Sequence, residues 1–131
     1  MEFRHVCAAA ALLSLPYGLG FVFAPAATAA VYTAAPSDAS TLLVGRYFGA
    51  EILMYAAAVW GLRGLRTLPE QRTAAGALAL ATLFGLGVTL QGVLGGTMNT
   101  LGWSSVALYG GFVLAWATLA LRSSRNSSSA A

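Results

Sequence analysis

Four long apolar stretches dominate the sequence and restrict its fold more than any other feature. They run from Val6 to Phe23, from Leu42 to Leu62, from Glu70 to Leu94 and from Leu101 to Leu121. Each is close to the ~20 residues that an α-helix needs to cross a hydrocarbon core of ~30 Å. Charged residues make up 8% of the chain, against about 25% in soluble domains. We therefore predict an all-α fold, an integral membrane four-helix bundle over residues 1–122.

Helix starts can be predicted in two of the segments that join these stretches. Thr67, Pro69 and Glu70 match a capping box, with Thr67 as the N-cap and Pro69 in the first turn. Asn99 or Thr100 should cap the last helix, because short polar side chains accept hydrogen bonds from the first free N–H groups. The third and fourth helices are therefore expected to begin directly after these residues.

The arginines predict the orientation of the bundle. Those near helix ends lie at the two termini and in the second connection: Arg4, Arg63, Arg66, Arg72, Arg122 and Arg125. The first and third connections contain none, so the positive-inside rule places both connections outside and both termini in the cytoplasm, N-in/C-in. The first connection, from Ala24 to Ser40, is expected to lie along the membrane interface, and the Ser-rich residues 123–131 to form a disordered tail.

A cleavable signal peptide is an alternative interpretation of the first apolar stretch. Arg4 and His5 precede an apolar core, and Ala27-Thr28-Ala29 matches a cleavage site. Pro16 and Tyr17 interrupt that core, which favours a retained membrane helix that is kinked or broken at Pro16. Cleavage would leave three helices with the N-terminus outside.

Polar residues inside the apolar stretches are the candidates for a functional site, because a charge at the centre of a membrane helix costs roughly 2.5–3.5 kcal/mol. At a rise of ~1.5 Å per residue they gather in the predicted outer half, Arg46 about 6 Å and Glu51 about 14 Å from the outer end of their helix. The predicted ligand-binding residues are Arg46, Glu51, Gln91, Tyr17, Tyr109, Tyr47, Asn99 and Trp103. Glu51 is also the candidate catalytic residue.

A purely structural role for these residues is the main alternative. Buried polar groups can bond to one another and fix the register of helices without binding anything. Small residues at i, i+4 spacing, such as Gly45 and Gly49, predict close helix packing, within the bundle or in a homodimer or larger membrane complex. Trp60, Trp103 and Trp116 lie near helix ends, where they are expected to anchor the chain at the membrane interfaces.

Several kinds of chemistry are excluded by residue counts. His5 is the only histidine and Cys7 the only cysteine, so a His pair for zinc or haem, an intramolecular disulfide and a thiolate cluster cannot form. The net charge of +3 is carried at helix ends rather than in one basic patch, so no nucleic-acid partner is expected. No cofactor is predicted.

Four short segments carry a resemblance to a known group of proteins. Phe23–Ala26, Gly45–Ala50, Trp60–Arg63 and Asn99–Ser104 resemble small bacterial four-helix membrane proteins of unknown function, similar in architecture to DoxX-like proteins. The resemblance implies a multi-pass protein of the bacterial cytoplasmic (inner) membrane and transfers no catalytic residue. Glu51 departs from the small or aliphatic residue expected there in those families, and is therefore particular to this chain.

Three functional hypotheses follow. The first is a bundle that binds an apolar small molecule or a membrane lipid, or serves as accessory subunit of a membrane complex, through the polar cluster in its outer half. The second is a proton-coupled small-molecule transporter that uses Glu51 and works as a dimer. The third is a membrane enzyme acting on a lipid-soluble substrate, with Glu51 as acid or base.

Overall fold

The computed structural model describes residues 2–33 and 38–122 as helices and short connections, with no strand among them. The five helices are α1 (Phe3–Phe23), α2 (Pro25–Tyr32), α3 (Ala39–Leu62), α4 (Leu68–Leu94) and α5 (Gly102–Ala120). All except α2 are long and apolar enough to cross a membrane. The predicted four long apolar helices are thus confirmed, whereas α2 was not predicted. The predicted tail, 123–131, lies outside the described residues.

The first helix is continuous through its proline. α1 extends from Phe3 to Phe23 with Pro16 inside it, so the predicted break at Pro16 is not observed. The chain turns instead at Ala24, and Pro25 opens α2 at its first position. A proline costs little there, because the N–H group it lacks would have no partner within the helix.

Side-chain caps define the starts of α3 and α4. The Thr67 hydroxyl accepts a hydrogen bond from the Glu70 backbone N–H at 3.4 Å, which confirms Thr67 as the N-cap of α4. Asp38 caps α3 in the same way, since its carboxylate accepts hydrogen bonds from the Thr41 backbone N–H at 2.7 Å and the Ser40 hydroxyl at 2.9 Å. These bonds lower the pKa of the exposed Asp38 carboxyl from its ordinary 3.8 to about 2.

The start of α5 differs from the prediction. Leu101 occupies the N-cap position and makes no side-chain cap. Asn99 accepts a hydrogen bond from the Leu101 backbone N–H at 2.9 Å, one turn before the helix. The Gly102 N–H bonds to the Asn99 carbonyl and the Trp103 N–H to the Thr100 carbonyl. The chain therefore already forms a hydrogen-bonded turn before α5 begins. The predicted cap at Asn99 or Thr100 is therefore wrong.

The long helices associate in two pairs. α1 packs along α3 and α4 packs along α5, whereas α3 and α4 hardly contact each other although they are consecutive in the chain. Glycines allow the close approach in the first pair: a Cβ on Gly49 would lie 2.8 Å from the Phe21 Cβ and 2.9 Å from the Gly18 carbonyl oxygen. Gly49 therefore serves packing within the bundle, one of the two roles predicted for it.

The two pairs meet in an apolar core at one end of the bundle, where α1 and α4 begin and α3 and α5 end. The buried side chains of this core are Phe3, Val6, Cys7, Ala10, Val59, Ala75, Trp116 and Leu119. Trp116 is completely buried and its ring centroid lies 6.0 Å from that of Phe3. The prediction of Trp116 as an interfacial anchor is therefore wrong: near the end of its helix, it still faces the neighbouring helices. Trp60 and Trp103 are 40% and 50% exposed.

Candidate ligand-binding cavity

A cavity of about 520 Å³ separates the helix pairs at the other end of the bundle. We call this end, where α1 and α4 finish and α3 and α5 begin, the α2 end. All five helices contribute to the cavity wall. The cavity exists because the pairs pack closely at the core end but not along their whole length, so that the middle and the α2 end leave space between them.

Aromatic rings form much of the wall. They are Tyr17 and Phe21 from α1, Tyr32 from α2, Phe48 and Tyr55 from α3, and Tyr109 and Phe112 from α5. Two contacts hold neighbouring rings in place: Phe21 meets Phe48 edge to face with centroids 5.3 Å apart, and the Tyr17 and Tyr32 centroids lie 6.4 Å apart. Such pairs add rigidity as well as apolar surface.

Hydroxyl groups of the long apolar helices also line the cavity. Ser14, Thr82 and Thr89 donate hydrogen bonds to the backbone carbonyl four residues earlier, at 2.8, 2.6 and 2.8 Å respectively. Their hydrogens are therefore used within their own helices. The Ser14 and Thr89 oxygens stay available as acceptors, whereas Thr82 contacts the Tyr55 side chain of α3. These side chains make the wall weakly polar without adding charge.

Glu51 supplies an acidic side chain to the wall. Phe48, Glu51, Ile52 and Tyr55 all line the cavity, and their spacing of three and four residues puts them on one face of α3. Among residues 2–33 and 38–122, no hydrogen bond or ion pair to the Glu51 carboxylate is found. The carboxylate thus reaches a mainly apolar space without a protein partner in the part of the chain described.

The structure brings three of the predicted site residues together, namely Tyr17, Glu51 and Tyr109. The other five lie outside the cavity wall: Arg46, Tyr47, Gln91, Asn99 and Trp103. Tyr47 is 67% exposed, although its spacing of four residues from Glu51 suggested a shared stripe. Each step of four residues turns the helix by about 40°, so a stripe drawn from Tyr47 through Glu51 to Tyr55 drifts about 80° around α3.

Asn99 holds two segments of the chain together instead of lining the cavity. Its side-chain amide donates a hydrogen bond to the Val31 carbonyl at 2.8 Å, and its backbone N–H donates one to the Tyr32 carbonyl at 2.7 Å. These bonds join the connection between α4 and α5 to the end of α2. Met98 and Tyr32, one on each side of this junction, both line the cavity, so the junction closes part of its α2 end.

Tyr32 was missed by the sequence analysis because α2 was not predicted. Its side chain lies beside Tyr17 and Ser105. Burial, followed by the Tyr17 hydroxyl, raises the pKa of Tyr32 to about 12 while Ser105 opposes the shift, so Tyr32 is a neutral phenol at physiological pH. No charged or strongly hydrophilic residue in α2 marks this segment as part of a site.

The α4 contribution was missed for a different reason. Thr82, Gly85 and Thr89 line the cavity at spacings of three and four residues, which places them on one helix face. That spacing was a detectable signal in a helix otherwise made of apolar residues. A hydroxyl group that bonds to its own backbone costs little free energy in a membrane helix. This pattern alone therefore did not indicate a site.

Comparison with known proteins adds no family assignment. No protein-family model matches the chain, and neither a curated protein nor a solved structure is significantly similar to it. The DoxX-like resemblance therefore stays a prediction, and the cavity itself is the basis for any functional conclusion.

Proposed function

We propose that this chain is a multi-pass protein of the bacterial cytoplasmic membrane that binds a largely apolar small molecule or lipid between its two helix pairs. The observation that carries the proposal is the cavity of about 520 Å³ with its aromatic wall. Small-molecule sites typically have volumes of roughly 300–1,000 Å³, apolar linings and a few well-placed polar groups. Both termini lie in the cytoplasm, in keeping with the arginine distribution.

The position of Glu51 in the cavity wall favours a ligand site over a purely structural network. In a structural network, the polar groups would bond to each other across helices. Here Tyr32 contacts Tyr17 and Ser105 of other helices and Tyr55 contacts Thr82, but Glu51 takes no part in these contacts and has no protein partner within the described residues. A carboxyl group in a mainly apolar cavity wall is one of the few polar groups that can orient a ligand, so a role in binding gives its position a physical reason.

Native mass spectrometry from a gentle detergent tests the proposal. We expect the wild-type protein to carry a small molecule or lipid, and Ala81→Phe to lose it, because Ala81 lines the cavity and a phenyl ring there fills the space. Ala50→Phe is the matched control, since Ala50 is exposed and lies outside the cavity wall. Equal ligand content in the wild type and both variants would refute the cavity as the site. A co-purifying protein instead of a ligand would favour the accessory-subunit hypothesis.

Cysteine labelling tests the membrane orientation. In a Cys7→Ala background, a membrane-impermeant maleimide applied to intact spheroplasts should label Thr100→Cys but not Glu70→Cys. Both positions are exposed at opposite ends of the bundle, Thr100 in the connection before α5 and Glu70 in the first turn of α4. Permeabilisation should make Glu70→Cys reactive. The reverse labelling pattern would contradict the N-in/C-in orientation.

Proton-coupled transport is a second candidate, favoured by the position of Glu51 in the cavity without a basic partner among the described residues. Carboxylates inside membrane proteins are typical proton carriers. In proteoliposomes, a pH gradient should drive uptake of a substrate by the wild type, and Glu51→Gln should abolish it. Gradient-driven uptake that persists in Glu51→Gln would eliminate this candidate while leaving ligand binding intact.

A further inference from the structure

The side chains of the cavity wall favour one sign of ligand charge. Glu51 supplies a carboxyl group to the wall, and no arginine or histidine is found there among the residues described. Arg46, on the same helix, is exposed and outside the wall. An ion in a low-dielectric space interacts with its surroundings much more strongly than in water. The cavity therefore favours a positive charge and disfavours a negative one.

Aromatic rings surround the same space. Tyr55 lies one helical turn from Glu51 on the same face of α3, and Phe48 lies almost one turn away in the other direction. Tyr17 and Tyr109 face the cavity from α1 and α5. The faces of aromatic rings attract cations, most strongly where water is excluded, and quaternary ammonium groups are commonly held in this way.

The hydroxyl groups are compatible with the same ligand. Since the Ser14 and Thr89 hydrogens are bonded to backbone carbonyls, these side chains present oxygen lone pairs. A protonated amine can donate to such oxygens, and a quaternary cation is attracted to them electrostatically without a hydrogen bond, whereas a carboxylate or phosphate would meet no charged donor. The remaining wall is apolar and suits a hydrocarbon or aromatic body.

From this arrangement we propose that the ligand is a lipophilic organic cation, an amine or quaternary ammonium or phosphonium compound whose charge is neutralised by Glu51. This inference rests on the proposed function, because it requires the cavity to be a ligand site. It goes further by assigning the sign of the ligand's charge and the group that recognises it.

Two ions of similar size and shape test the sign of the charge. Tetraphenylphosphonium is a cation and tetraphenylborate an anion, and both carry four phenyl rings. In equilibrium dialysis with the purified full-length protein in a non-ionic detergent, we expect the wild type to bind the phosphonium and not the borate. Glu51→Gln should weaken phosphonium binding by about tenfold or more, the usual effect of removing one partner of a charge pair from which binding excludes water.

Glu51→Asp and Glu70→Gln are the control variants. Glu51→Asp retains the charge and should bind the phosphonium within a few-fold of the wild type, which separates charge recognition from a folding defect. Glu70→Gln makes the same charge change at an exposed position outside the cavity and should bind like the wild type. Equal phosphonium binding by the wild type and Glu51→Gln would overturn the inference, as would equal binding of the borate.

Failure of the cation inference can be distinguished from failure of the proposed function. If Ala81→Phe displaces a neutral co-purified ligand while Glu51→Gln leaves phosphonium binding unchanged, the cavity is a ligand site but not a cation site, and this inference fails alone. If Ala81→Phe changes the binding of no ligand, the proposed function fails as well. Loss of phosphonium binding in both Ala81→Phe and Glu51→Gln supports both.

Discussion

Gly18 of α1 and Gly49 of α3 lie back to back, so closely that a Cβ on Gly49 would come within 2.9 Å of the Gly18 carbonyl oxygen. The same added atom would lie 2.8 Å from the Val22 backbone nitrogen. Backbone atoms cannot rotate aside as a side chain can, so the helices themselves would have to separate. This contact therefore sets the distance between α1 and α3, which together form one wall of the cavity.

We predict that Gly49→Ala destabilises the protein by about 1–3 kcal/mol, the usual cost of overpacking a tight contact. Gly61→Ala is the control on the same helix, because a Cβ there meets nothing within 4 Å. It should be neutral or stabilising by up to about 1 kcal/mol, since alanine favours a helix more than glycine does. Unfolding in mixed detergent–SDS titrations, followed by circular dichroism, measures both. Equal stability of the two variants would show that the close contact is not required.

Gly85→Ala should impair the cavity more than the fold. A Cβ on Gly85 would lie 2.6 Å from the Tyr109 Cε1 atom, and this contact is with a side chain that can move. We expect the Tyr109 ring to shift, weakening ligand binding several-fold while the free energy of unfolding changes by less than about 1.5 kcal/mol. Gly87→Ala, which meets nothing within 4 Å, should retain wild-type affinity. Equilibrium dialysis measures the ligand affinity of both variants, and an unfolding titration measures their stability. Unchanged affinity in Gly85→Ala would exclude Tyr109 from the site.

Asn99→Ala should loosen the junction between α2 and the connection that precedes α5. The substitution removes the bond to the Val31 carbonyl and the bond from the Leu101 N–H, each contributing about 1 kcal/mol net. Hydrogen exchange measured by mass spectrometry should become faster in peptides covering α2 and residues 95–101, and stay unchanged in α1 and α4. Thr100→Ala is the control, because no hydrogen bond of the exposed Thr100 side chain is found in the described residues. Protection that survives in Asn99→Ala would assign the junction to the backbone bond alone.

The Asp38 cap predicts an acid-dependent start of α3. The pKa of Asp38 is lowered to about 2 in the folded protein, from an ordinary 3.8. The stabilising effect of the cap is therefore complete above the ordinary value and is lost as the pH falls from about 4 through about 2. The Thr41 amide resonance should titrate with a midpoint near 2 in NMR spectra. Asp38→Asn, which keeps an acceptor but no titrating group, should abolish that transition; a wild-type midpoint near 4 would contradict the cap.

The placement of α1 bears on the signal-peptide alternative in physical terms. α1 supplies Phe3, Val6, Cys7 and Ala10 to the apolar core, and Gly18 to the contact with α3. A chain without this helix would lose half of the first helix pair and one wall of the cavity. Retention or cleavage of the first helix stays a prediction.

The fold was predictable from sequence to the extent that it depends on local properties. Stretches of apolar residues long enough to cross a membrane specify α1, α3, α4 and α5 directly, because in such segments the backbone can satisfy its hydrogen bonds only within a helix. The cap of α4 at Thr67 was equally local and was predicted. α2 has only 8 residues, too few for a distinctive apolar pattern, and was missed.

The site depends on what sequence cannot specify locally. Counting residues gives the depth of each polar side chain along its helix, and this placed Tyr17, Glu51 and Tyr109 in one half of the bundle. It does not give the rotation of each helix about its axis, which is set by packing against neighbours such as Gly49 on Gly18. That rotation turns Glu51 into the cavity and leaves Tyr47 outside. The sequence by itself determined four apolar helices and their polar depth, whereas the tertiary structure decided which polar groups share a cavity.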